Sequence, residues 1–159
     1  MLDIAFLQHA TIALTSQDDS LGLARALMSV LDQSGCVGSA MLIEAYSATE
    51  PGDSGPDLVQ AAPVLRRFDV DLGLAHRVQP DLRGVHDAMT NDRPVVIAPG
   101  ASAPGRIILP VRAGHSPRRL LVLDSPVEDP RLRMQLLHLA ELFGNQLRLL
   151  DARERDQLT

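Results

Sequence analysis

The groups in this chain able to move a proton, attack a carbonyl or hold a metal are five histidines, one cysteine and twenty carboxylates. Asp69, Asp71 and His76 bring metal-ligand types together, and in a strand Asp69 and Asp71 would share a face. Two carboxylates at an exposed strand end are more often solvated charges, so no metal is expected. His138 and Glu141 have the spacing of a carboxylate-bridged helical metal motif, but that motif needs glutamates from other helices and none is arranged for it. They read as a surface pair. Cys36 follows Gly35 at a turn, with no Arg or His close in sequence to favour a thiolate, and reads as a small buried hydrophobe. The Ser, His and Asp residues lack a Gly-x-Ser-x-Gly elbow. The glycine-flanked stretch from Gly100 to Gly105 precedes a strand, so it lacks the helix N-terminus that makes a phosphate site. A hydrolase built on one of the histidines stays open as an alternative reading.

Composition narrows the field further. All 15 basic residues are Arg, so there is no Schiff-base lysine, P-loop lysine or Ser–Lys dyad. A net charge of −5 offers no basic surplus to displace counterions, which argues against nucleic acid as a partner. One cysteine excludes an internal disulfide and a multi-cysteine metal site. No apolar run approaches the roughly 20 residues of a membrane helix, and the start does not read as a signal peptide. A cytoplasmic protein without cofactor is expected. With 159 residues, 45% apolar and 22% charged, the chain has the size and balance of one globular domain.

The elements that must position these groups follow from periodicity. Leu2–Leu14 has mostly helical spacing, and Ser16 with Asp19 is expected to cap a second helix running to about Gln33. That helix carries the stripe Leu21, Ala24, Leu27, Met28, Leu31 and ends at Gly35. Gly38–Ser47 and Pro63–Val70 read as strands around a loop at Ala48–Asp57. Asp71–Pro80 fits no single period. Asp81 is expected to open a helix carrying Leu82, Val85 and Met89 that ends before Pro94. Arg93–Ile97, Arg106–Arg112 and Arg118–Asp124 read as strands, the last two as a hairpin, with Pro110 marking an edge or bulge. From Asp129 a long helix repeats Leu132, Leu136, Leu139, Phe143, Leu147 and Leu150. The order predicts an α+β domain, with a central, largely antiparallel sheet of five to six strands and the N- and C-terminal helices packed on one face.

That order, with three segments, resembles the GAF domain family of small sensory and regulatory domains. Leu82–Ile97 (LRGVHDAMTNDRPVVI) looks like the family's helix followed by a t-g-x-P-v-v-i strand. Arg106–Val111 (RIILPV) and Leu120–Asp124 (LLVLD) look like its last two strands, with Arg119 where Gly is common. The resemblance covers roughly residues 18 to 150. It implies a pocket between the sheet and the region from Phe68 to Met89, where Phe68, His76, Arg77, Arg83 and His86 are the candidate contacts to an unknown small, anionic or planar ligand. The family's cyclic-nucleotide signature fails, because there is no Lys and no Asp-Glu dipeptide. Its bilin-binding Cys-His pair fails at Cys36-Val37, and members that reduce free methionine sulfoxide use several cysteines. A PAS-like sensor is the neighbouring alternative.

At the end of the chain, Asp156, Leu158 and Thr159 match the D-x-L-T start of a GGDEF, or diguanylate cyclase, domain. The resemblance implies a helical segment at 1–17, a GAF-like domain at 18–150, and a linker with the start of a truncated GGDEF domain at 151–159. The chain itself, lacking the G-G-[DE]-E-F motif, is expected not to be an enzyme. It is expected to dimerise through its terminal helices and to control a cyclase that makes cyclic di-GMP.

Overall fold

The computed structural model describes residues 2–45, 64–69, 74–77, 83–112 and 118–158. The first helix, α1 (Ile4–Thr15), starts where the Asp3 carboxylate accepts the Phe6 N–H at 2.7 Å. In α2 (Ser20–Ser34) the cap is Asp19 alone, accepting the Gly22 N–H at 2.6 Å. Ser16 belongs to the helix before, and its hydroxyl turns back onto the Ile12 carbonyl. Gly35 closes α2 in the left-handed conformation. The buried stripe of α2 runs through Leu23, Leu27, Val30 and Leu31, while Leu21 is exposed.

The strands are β1 (Ser39–Ala45), β2 (Val64–Asp69), β3 (Leu74–Arg77), β4 (Val95–Ile97), β5 (Arg106–Val111) and β6 (Arg118–Asp124). They lie in the order β3-β2-β1-β6-β5-β4, and every pairing is antiparallel. β3 falls within the stretch that fits no single period. The helix α3 (Val85–Asn91) begins four residues later than the expected Asp81, which itself lies outside the described residues. Its cap is Gly84 at φ 75°, with no side-chain hydrogen bond. A Cβ at Gly84 would stand 2.9 Å from both the Ile108 and the Ile97 Cδ1 atoms, so glycine serves both the backbone angle and the close approach.

Pro110 lies in an interior strand, β5, and not on an edge strand. Ser125 N–H donates to Gly105 O at 2.9 Å, which points the backbone N–H and C=O groups of odd-numbered β5 residues toward β6 and those of even-numbered ones toward β4. β4 pairs only with Arg106, Ile107 and Ile108. The N–H that Pro110 lacks therefore falls where no strand pairs with β5 among the described residues.

The last helix, α4 (Pro130–Leu158), opens with proline at its first position. The Asp129 carboxylate accepts the Arg131 N–H at 3.0 Å. The helices α1, α2 and α4 cover one face of the sheet, packing Leu14, Leu23, Leu27, Leu136 and Phe143 against Leu42, Leu109, Leu121 and Leu123. Each such fully buried side chain is worth about 1.5–3 kcal/mol. At Gly144, α4 comes down on the end of β5: a Cβ there would stand 2.7 Å from the Arg112 carbonyl oxygen. The opposite face holds α3, whose Val85, Ala88 and Met89 pack on Met41, Ile43, Ile108, Leu120 and Val122.

Candidate functional site

Three sequence-predicted residues lie on β2 and β3. The ladder pairs Phe68 with Ala75, Arg67 with His76 and Arg66 with Arg77, and Arg66 in turn with Leu42. Alternation along the strands therefore sets Phe68 and Arg77 at registers of the terminal-helix face and His76 at a register of the α3 face. The five candidates do not share one face. Of the three residues of metal-ligand type, Asp69 lies in β2, His76 in β3, and Asp71 lies outside the described residues. Among the described residues no group of three or more His, Cys, Asp and Glu is placed to hold a metal.

On the α3 side, Arg83 and His86 do different things. His86 is exposed on α3, its Nε2 3.5 Å from the Thr90 hydroxyl. Arg83 is half-buried and ties the α3 lead-in to the sheet end. Its Nη1 reaches the Pro104 carbonyl at 3.5 Å, and its own carbonyl accepts from Arg106 Nη1 at 3.3 Å. Arg106 is 1% exposed and grips Asp124 with two nitrogens, Nε to Oδ1 at 2.6 Å and Nη2 to Oδ2 at 3.1 Å. That bidentate geometry is the strong form of a carboxylate–guanidinium contact. Its role is structural: it joins β5, β6 and the turn before α3. The space between α3 and the described strands is filled with apolar side chains.

His9 on α1 and His138 on α4 are exposed as well, so the three helical histidines each lie on a different helix, and His76 lies on β3. Cys36 is half-buried against the terminal-helix core, its Sγ 3.4 Å from the Ser34 carbonyl.

A groove of about 420 Å³ opens beyond the end of β4, between β5 and α4. Asp92, Pro94, Pro110 and Arg112 form its sheet side. From α4 come Leu137, Glu141, Asn145 and Arg148, at helical steps of four, four and three that keep them on one stripe. Arg112 reaches Asp92 twice, Nε to Oδ2 at 3.5 Å and Nη2 to the carbonyl at 3.2 Å. Arg148 Nη2 lies 3.5 Å from the Arg112 carbonyl oxygen. Of the pair read at the sequence level, Glu141 faces this groove and His138 is not in its lining. The signal available in the sequence was the polar spacing of 141, 145 and 148 beside an otherwise apolar stripe, together with Pro94 just before β4 and Pro110 in β5.

The fold has clear precedents among solved structures. The chain is similar to the GAF domain of a phosphoenolpyruvate-protein phosphotransferase from Coxiella burnetii, at 13% identity and TM-score 0.65, covering 96% of each chain. The corresponding Acinetobacter GAF domain aligns at 12% identity and TM-score 0.63, over 98% of this chain and 99% of that one. Free methionine-R-sulfoxide reductase from Neisseria meningitidis aligns at 16% identity and TM-score 0.68, over 96% of this chain and 95% of that one. No protein-family model matches the chain, and no curated protein matches it. At these identities the likeness establishes the fold, a GAF-like α+β arrangement of an antiparallel sheet and helices.

Proposed function

We propose that this chain is a regulatory domain of GAF type that pairs with a second copy through its terminal helices and sets the activity of a diguanylate cyclase domain following α4. The observation that carries this reading is the continuity of α4. It is one unbroken helix of 29 residues, about 43 Å long. Its stripe is buried from Leu132 to Leu150, and Ala152, Arg153, Glu154 and Asp156 beyond are exposed. The helix therefore runs from the core of the domain straight into the segment that resembles the start of a GGDEF domain. A cyclase that joins two GTP molecules needs two catalytic domains facing each other, so a change in the packing of paired α4 helices is sufficient to switch it.

Pairing is supported by the surfaces of the terminal helices. α1 contains no Asp, Glu, Lys or Arg, and its Ile4 and Ile12 are 75% and 66% exposed. Met134 and Leu149 on α4 are exposed too. A helix apolar on several faces is normally covered.

Sedimentation equilibrium at micromolar concentration tests the pairing: a dimer that Ile12→Glu dissociates is the expected result, and a monomer overturns it. The cyclase link predicts that the codons following Thr159 encode Gly-Leu and then Asn-Arg, with a G-G-[DE]-E-F motif downstream; a different continuation overturns that part. The likeness to a sulfoxide reductase does not favour a second reading. Reducing a sulfoxide takes two electrons, which a pair of thiols supplies by closing a disulfide, and this chain holds one cysteine.

A further inference from the structure

The groove lies between α4 and the end of β5, with Asp92 at the end of α3 on its rim, and its chemistry is ordered along its length. Two of its charges, Asp92 and Arg112, already satisfy each other. The other two, Glu141 and Arg148, are in no ion pair among the described residues. They stand seven residues apart on α4, about 10.5 Å along the helix axis, with the Asn145 amide between them. Leu137, Pro94 and Pro110 supply apolar surface. The volume lies within the roughly 300–1,000 Å³ usual for ligand sites.

This arrangement discriminates among occupants. A simple anion would meet Arg148 but also the carboxylates of Glu141 and Asp92. A longer chain adding a strand to β5 would need backbone donors at this edge, and Pro94 and Pro110 have none. A molecule carrying an ammonium at one end and a carboxylate at the other fits both of these charges at once. Three extended peptide residues span about 10 Å, the separation of Glu141 and Arg148 along α4. We propose that the groove binds short peptides of about three residues through their free termini. Glu141 takes the ammonium, Arg148 takes the carboxylate, Asn145 meets a peptide bond, and an apolar side chain rests on Leu137 and the prolines. The site stands whether or not the domain regulates a cyclase.

The test is isothermal titration of the whole chain with the tripeptide alanyl-leucyl-alanine, its N-acetylated form and its C-amidated form. The free tripeptide is expected to saturate the chain, and each blocked form to bind about tenfold more weakly, since a charge-assisted contact is worth about 1.5 kcal/mol or more. Glu141→Gln should bind the acetylated and free peptides alike, and Arg148→Gln the amidated and free peptides alike. His138→Gln, outside the groove, should keep the original pattern. No saturable binding at millimolar peptide overturns the proposal, as does equal binding of all three forms. Free leucine binding as tightly as the tripeptide overturns the length argument. Because the peptides are scored on one folded protein and both substitutions are on exposed positions, loss of fold cannot imitate the expected pattern.

Discussion

Arg106 and Asp124 are register partners across β5 and β6, and their side chains close the same pairing a second time through two nitrogen–oxygen contacts. The guanidinium is out of water and also holds the Arg83 carbonyl. Removing one member of a buried pair leaves the other charge without compensation, which costs about 3–5 kcal/mol. Asp124→Ala should therefore lower the urea midpoint strongly at unchanged slope. The double change Arg106→Met with Asp124→Leu should be milder than the single one. If it is no milder, the pair is not the main reason for the loss.

Gly144→Ala tests the seat of α4 on β5. At an open helix position this change gains up to about 1 kcal/mol. Here the new methyl would meet the Arg112 carbonyl oxygen at 2.7 Å, and overpacking costs about 1–3 kcal/mol. The expected sign is destabilising in equilibrium unfolding. A stabilised variant would mean that α4 sits farther from the sheet.

The cap of α2 separates two neighbouring residues. Asp19→Ala removes the acceptor for the Gly22 N–H and should cost about 1 kcal/mol. Ser16→Ala, at the end of α1, should stay within about 0.5 kcal/mol. Thermal unfolding of the two variants, side by side, distinguishes them.

The Asp129 carboxyl is held below the usual carboxylate range, chiefly by the Arg131 backbone N–H it accepts. A depressed folded-state pKa gives stability that is present above the unfolded value, about 4, and is lost as pH falls through the folded value. Asp129→Asn keeps an accepting oxygen and loses the titration. The stability difference between native and variant chains should accordingly shrink on acidification from about pH 6 to about pH 3. A difference independent of pH would remove Asp129 from the acid response.

The parts of the fold legible beforehand were those with long, clean periods. The α4 stripe from Leu132 to Leu150 recurs over enough turns to leave no competing assignment, and β6 was read at its observed bounds because Leu120–Leu123 is bracketed by charge. β3 was not legible, since four residues are too few for alternation to show. The start of α3 was misplaced because Leu82, Val85 and Met89 keep helical spacing, while the left-handed Gly84 interrupts the helix they imply. Arg106 reads as a surface residue in any sequence window. Only the β5–β6 register brings it to the carboxylate that makes its burial tolerable. The groove is illegible in sequence for a related reason: its walls come from 92 to 148 in the chain, and the polar spacing of 141, 145 and 148 does not say which distant residues face it.

The two packed clusters on either side of the sheet draw on the same strands yet have no side chain in common. Along β5 and β6 odd-numbered residues such as Ile107, Leu109, Leu121 and Leu123 serve one, and even-numbered residues such as Ile108, Leu120 and Val122 the other. Sequence on the two sides is thus free to drift as two independent alphabets, each constrained only by its own neighbours. Among the described residues, mechanical information crossing from α3 to α4 has no shared packed side chain to carry it through the sheet. It can travel as strand twist, or around the rim, where Arg106 is fastened to the turn before α3 and the last residue of β6 and where Arg112 links Asp92, at the end of α3, to Arg148 on α4.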